Sequence, residues 1–134
     1  MRVVVLSLVC LLTLAGAAAA ENWQPSPGET GIYFDKDYLK VDKASGLVIG
    51  RMAEGKPRGG GYKDWPSGKG PIMLYALDCD ADKFMAVGLD MTGGGGLEKN
   101  WRKEEKIEDM AGGAGHWAKT ACQDKATLPI VAVP

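Results

Sequence analysis

The sequence predicts an α+β domain: a single antiparallel sheet of about five to six strands, with a short C-terminal helix tethered to it by a disulfide. Three observations predict it. Short runs with period-2 apolar patterning recur from residue 31 to residue 92, separated by Gly, Pro, Asp and Ser. One later stretch, residues 114–122, instead places its apolar residues at helical spacing. Two cysteines, Cys79 and Cys122, remain once an export signal is set aside.

Residues 1–20 read as that signal. Arg2 gives a positive start, Val3 to Leu14 an apolar core, and Ala17 to Ala20 the small residues a signal peptidase requires. The run is short of the roughly 20 apolar residues of a membrane span. Cys10 is preceded by Val9 and followed by more apolar sequence, so it reads as part of the signal rather than a lipid attachment site. The expected mature domain is therefore 21–134, located in the periplasm or at the cell surface, with no stable membrane anchor after cleavage. Losing Arg2 leaves 15 basic against 17 acidic residues, a balance with no footprint for nucleic acid. An even cysteine count in an exported chain reads as a bridge.

Residues 21–30, with two prolines, form an extended lead-in anchored at Trp23. Gly31 to Asp35 is a short β-rich run. Tyr38 to Asp42 alternates, with Leu39 and Val41 on one face, and the turn Lys43 to Gly46 hands over to Leu47–Met52 as a hairpin. Ala53 to Gly70, rich in glycine around Tyr62 and Trp65, is a long loop. Pro71 to Asp78 and Lys83 to Thr92 make the strongest strand pair. Met73, Tyr75, Leu77 and Cys79 share one face of the first, and the patterning implies one buried and one wetter side. Gly93 to Gly96 forms a tip. Trp101 to Ile107 is a charged edge strand. From Ala114 to Cys122, helical spacing gathers Ala114, Trp117, Ala118, Ala121 and Cys122 on one side and His116, Lys119, Thr120 and Gln123 on the other. The glycines around it weaken this helix, so it needs tertiary help, which a Cys79–Cys122 bridge would supply by pinning it to the Cys79 face of the sheet. The tail after Ala126 is either a final strand or loose.

Trp23, Tyr33-Phe34-Asp35, Leu77-Asp78-Cys79-Asp80, Trp101 and Trp117 to Cys122, in this order, resemble the surface-adhesin protein E-like family of Gram-negative bacteria. The likeness extends over most of residues 23–122. It implies a twisted antiparallel sheet with a disulfide-tied helix, and a partner among extracellular-matrix, serum or envelope proteins such as laminin, vitronectin or plasminogen. The chain departs from it in lacking a usable lipidation site and an evident basic cluster.

Catalytic and metal chemistry find little support. His116 is the only histidine and lies on the polar side of the helix, which leaves no Ser-His pair and no nitrogen-rich metal set. Asp78, Asp80 and Asp82 open like a calcium loop, but Lys83 and Leu89 occupy the positions of its glycine and glutamate. Gly68-Lys69 lacks the rest of a phosphate loop. No cofactor or metal is expected. Tyr62, Trp65 and Trp101, aromatics in or beside glycine-rich loops, are candidate binding residues presented by loops 53–70 and 93–100. The competing expectation is that each folds back to cap the core. The functional expectation is a non-enzymatic binding or structural module. The alternative is a small periplasmic enzyme or enzyme inhibitor using Asp35, Asp37 or Asp64 as acid–base groups.

Overall fold

A computed structural model describes residues 21–55, 72–89, 96–106, 108–111 and 115–134 of the chain. The expected signal peptide at 1–20, Tyr62, Asp64, Trp65 and most of the loop expected at 53–70 lie outside these residues. Among the described residues the architecture is a mostly antiparallel sheet with one α-helix. Its strands are β1 (Trp23–Pro25), β2 (Ile32–Asp35), β3 (Lys40–Asp42), β4 (Val48–Glu54), β5 (Met73–Asp78), β6 (Lys83–Leu89), β7 (Glu108–Asp109) and β8 (Ile130–Val131), and the helix α1 is His116–Gln123.

Among the described residues the sheet has eight strands rather than the five to six expected. The additions are β1, β7 and β8, each of two or three residues, too short for side-chain alternation to stand out in a sequence. Both expected hairpins form. β3 pairs with β4 antiparallel across the turn at Lys43–Gly46, where Gly46 has φ +73° and donates its N–H to the Asp42 carbonyl at 2.8 Å. β5 and β6 pair along their length, with a register shift between Leu74 and Tyr75.

Two expected strands are corrected. Tyr38, expected to open the strand Tyr38–Asp42, instead ends the 3₁₀ turn Lys36–Tyr38, because the Asp35 side chain accepts the Asp37 N–H at 3.1 Å and caps that turn. That turn lets β2 and β3 lie end to end along one side of β4, β2 opposite Met52–Glu54 and β3 opposite Val48–Ile49. Trp101–Lys103 is also a 3₁₀ turn, and the strand partner of β6 is instead Glu108–Asp109. The tail resolves as β8, which runs parallel to β3.

β5 is buried on both faces from Leu74 to Leu77, which overturns the wetter side expected of that strand pair, and β4 is likewise buried from Val48 to Ala53. On one face α1 lays Trp117, Ala118 and Ala121 against Phe34, Leu39, Val41, Val48, Met52, Tyr75, Leu77 and Phe84. Trp117, fully buried, meets Tyr75 edge-on at 5.2 Å and stacks on Phe34 at 6.1 Å between ring centres. Burial pushes the Tyr75 hydroxyl up to about 12. Cys79 and Cys122 are joined beside this cluster, their Cα atoms 5.5 Å apart, so the end of β5 and the end of α1 are covalently fixed. On the other face Ile49, Ala76 and Val87 are covered by Trp101 and Val133, with Leu97 and Val131 packed alongside. One helix of eight residues therefore shields one side, while the tail and a tryptophan turn shield the other.

Candidate functional site

The tail is held on the second face by a buried carboxylate. Asp42, at the end of β3, is fully buried and accepts from Arg102 Nε at 2.7 Å and Nη2 at 3.0 Å. Ser45 adds its N–H at 3.1 Å and its hydroxyl at 2.7 Å, and the Val133 N–H approaches to 3.4 Å. These contacts, led by Arg102, hold the Asp42 carboxyl well below the usual carboxylate range despite its burial. Arg102 also donates to the Val133 carbonyl and lies over the Trp101 ring at 4.5 Å, while the Trp101 indole N–H donates to the Pro134 carbonyl at 3.0 Å. One carboxylate thus ties together the β3 turn, the tryptophan turn and the tail.

Between the tryptophan turn and the tail this arrangement leaves a groove of about 620 Å³. Its floor is the aromatic and aliphatic surface of Tyr38, Leu97, Trp101, Val131 and Val133, and its rim carries Lys40, Lys99, Asn100 and Glu98. Lys40 Nζ stands 3.8 Å over the Tyr38 ring. The groove combines an apolar floor with a few polar rim groups and is in the size range of ligand pockets.

Of the sequence-predicted binding residues, Trp101 is at this groove, but its ring is 2 % exposed and mainly caps the core. Tyr62 and Trp65 lie outside the described residues. Cys79 and Cys122 form the expected disulfide. The groove residues Tyr38, Lys40 and Val131 were not legible as a set, since they come together only through the parallel β3–β8 pairing.

The other charged cluster is structural. Asp35, 1 % exposed, receives Arg51 Nε at 2.9 Å and Nη2 at 2.6 Å, plus the Asn22 and Asp37 N–H groups. Arg51 also meets Glu21 at 3.6 Å and the faces of Tyr38 and Trp23. Asp35 is thus committed to an ion pair, and Asp37 sits at the surface against Asn22 at 3.2 Å. Asp80 pairs with Lys125 at 3.6 Å, and Asp78 accepts the Ala81 N–H, as a hairpin turn does. Among the described residues no group of three or more His, Cys, Asp or Glu side chains is placed to hold a metal ion. His116 is exposed on the outer side of α1, as its spacing predicted. No described helix is long and apolar enough to cross a membrane. Comparison of the chain with protein-family models, with curated proteins and with solved structures finds no match in any of the three.

Proposed function

We propose that the chain is an exported, non-enzymatic binding module that takes a protein partner in the groove between the tryptophan turn and the C-terminal tail. The observation that carries the reading is the groove itself: a 620 Å³ concavity with a Tyr38, Leu97 and Trp101 floor and a Lys40 and Lys99 rim. The buried carboxylates nearby are tied up in ion pairs, which favours binding over acid–base chemistry. The Cys79–Cys122 bridge suits an oxidising compartment, in keeping with a signal peptide at 1–20 and a periplasmic or surface location. The resemblance to surface-adhesin protein E-like proteins suggests an extracellular-matrix or envelope protein as partner, with Tyr62 and Trp65 of the long loop adding contacts.

The test is surface plasmon resonance of the mature chain over immobilised laminin and vitronectin. Saturable binding is expected, weakened about tenfold or more in a Lys40→Glu, Lys99→Glu variant, since reversing two rim charges against an acidic partner costs well over 1 kcal/mol. Binding that ignores both substitutions, or none at all to either protein, refutes the reading.

A further inference from the structure

A disulfide is opened by a thiolate that reaches one of its two sulfurs, so the surroundings of each sulfur decide whether and where exchange occurs. Cys79 follows the last residue of β5, Cys122 lies in the last turn of α1, and both are half-buried. Charge does not choose between them. A Cys79 thiolate would stand between Asp78 and Asp80 in the chain, and a Cys122 thiolate at the negative end of the helix dipole.

Access does choose. Cys122 lines a concavity of about 490 Å³ whose walls are mostly apolar, with Val41, Ala126, Leu128 and Ile130 among them, and Cys79 is not part of that lining. Ile130, at its border, is 69 % exposed, so the hollow meets solvent directly. On their inner side both cysteines pack against the cluster around Trp117. The approach to the bridge from the hollow therefore arrives at Cys122.

The surroundings also hold the two cysteines together without the bond. Trp117, Ala118 and Ala121 seat α1 on the sheet by non-covalent contacts. Lys125 Nζ meets Asp80 at 3.6 Å, an ion pair between the same two segments that the disulfide joins. With Asp80 exposed the pair is weak, yet it lies in parallel with the bridge. The Cα atoms of Cys79 and Cys122 are 5.5 Å apart, a separation from which the bond re-forms with little movement.

We propose that Cys122 is a thiol-exchange site, at which a low-molecular-weight thiol with an apolar body enters the hollow and opens the bridge while the domain stays folded. The thiolate forms a sulfur–sulfur bond to Cys122 as the Cys79–Cys122 bond breaks, and Cys79 leaves as a thiolate that takes a proton from water. A second thiol attacking the mixed disulfide releases the protein dithiol and the thiol's own disulfide. Attack by Cys79 instead expels the first thiol and restores the bridge. The fold thereby carries a reversible redox switch whose two forms share one architecture and differ in stability.

The probe is benzyl mercaptan, with glutathione as the charged control, added to the oxidised mature chain. Each rate is divided by that thiol's rate on a short linear peptide disulfide, and acid quenching, alkylation and peptide mapping locate the adduct. The adduct is expected on Cys122 over Cys79 by about tenfold or more, with the normalised benzyl mercaptan rate about tenfold above that of glutathione. Ala126→Phe, at an exposed position in the lining, is expected to slow opening about tenfold with the thermal midpoint unchanged. Well below the urea midpoint the rate is expected to stay flat. A rate that climbs from the first addition of urea, in step with exchange of the core amides, means the sulfur is reached only by unfolding and overturns the proposal. Adducts on Cys79 or equally on both cysteines overturn it too, as does an unchanged rate in Ala126→Phe or a glutathione rate that matches benzyl mercaptan. If Ala126→Phe misfolds, the adduct map and the urea series on the natural chain still decide.

Discussion

Replacing both bridged cysteines, Cys79→Ala with Cys122→Ala, separates the two devices that hold α1 on the sheet. The bridge closes a loop with a sequence separation of 43, which in the chain-entropy treatment is worth about 4 kcal/mol through the unfolded state. The second device is the Trp117 ring, fully buried among Phe34, Tyr75 and Phe84. A buried tryptophan removes some 150–250 Å² from water, about 4–6 kcal/mol at 25 cal/mol per Å². The two are comparable, so neither alone decides whether the helix docks. The bridge-free variant is expected to keep a native near-ultraviolet spectrum, because the ring cluster survives, while its urea midpoint falls by about 2 M at an m-value near 2 kcal/mol/M. Adding Trp117→Ala should remove a further ~3–5 kcal/mol and abolish the fold, given a total stability on the order of 5–15 kcal/mol. Tryptophan fluorescence and circular dichroism across a urea series read both outcomes. A midpoint shift below about 0.5 M in the bridge-free protein would refute the loop-entropy argument. Loss of near-ultraviolet structure from bridge removal alone would refute the claim that the ring cluster holds the helix.

Other predictions concern the second face. Asp42→Asn should cost about 1–3 kcal/mol, since Arg102, one-third exposed, recovers water when its partner loses charge. Arg102→Met should cost more, because it strands a fully buried carboxylate; equal losses by thermal denaturation would refute that asymmetry. The folded-state value of Asp42 lies below its unfolded value of about 4, so its contribution is complete above roughly pH 5 and is lost as pH falls through the folded value. Melting curves from pH 6 to pH 2 should accordingly fall more steeply for the natural chain than for Asp42→Asn, and parallel curves would contradict it. Gly50→Ala would place a Cβ 3.0 Å from Leu39 Cδ2 and 3.1 Å from the Trp117 ring. Overpacking there should cost about 1–3 kcal/mol, and a neutral or stabilising result in calorimetry would show that the ring gives way freely.

Most of the helix side of the fold was legible in the sequence. The alternation of Leu39 and Val41, the run Met73-Tyr75-Leu77-Cys79 and the helical spacing of Trp117, Ala118 and Ala121 each report a local period, and local periods survive folding unchanged. The opposite face was not legible for the same reason. Val131 and Val133 alternate over too short a stretch, between Pro129 and Pro134, to mark a buried face, and Trp101 sits in a charged run whose pattern suggests an exposed strand. Their burial is decided by the Asp42–Arg102 pair, whose partners are 60 residues apart. An Asp at the end of a hairpin strand and an Arg after a tryptophan carry no signal of each other at that separation. The tryptophan's competing expectation, folding back as a cap, matches its 2 % exposure. Asp35 was read as part of a β-rich run and a possible acid–base group; only the approach of Arg51 from β4 shows its structural commitment.

The same long-range pair links stability to the proposed binding surface. β8 has two residues and one neighbour, so pairing alone gives it little hold on the sheet. What seats it is the sequence of contacts around Asp42: Arg102 to the carboxylate, Arg102 and Asp42 to the Val133 main chain, and Trp101 to the Pro134 carbonyl. The groove wall is made of this tail, so the latch that stabilises the fold also sets the geometry on which binding would depend. A partner bound in the groove should in turn strengthen the latch, by mass action on the seated tail. This coupling has a definite signature. Asp42→Asn should weaken binding to immobilised laminin or vitronectin by more than the loss of one distant charge explains, because part of the binding energy must first reseat the tail. With bound partner at saturation, the acid sensitivity of the natural chain should shift to lower pH. If partner affinity is unchanged in Asp42→Asn at neutral pH, the tail is seated by its apolar contacts with Ile49 and Trp101, and the carboxylate serves stability alone.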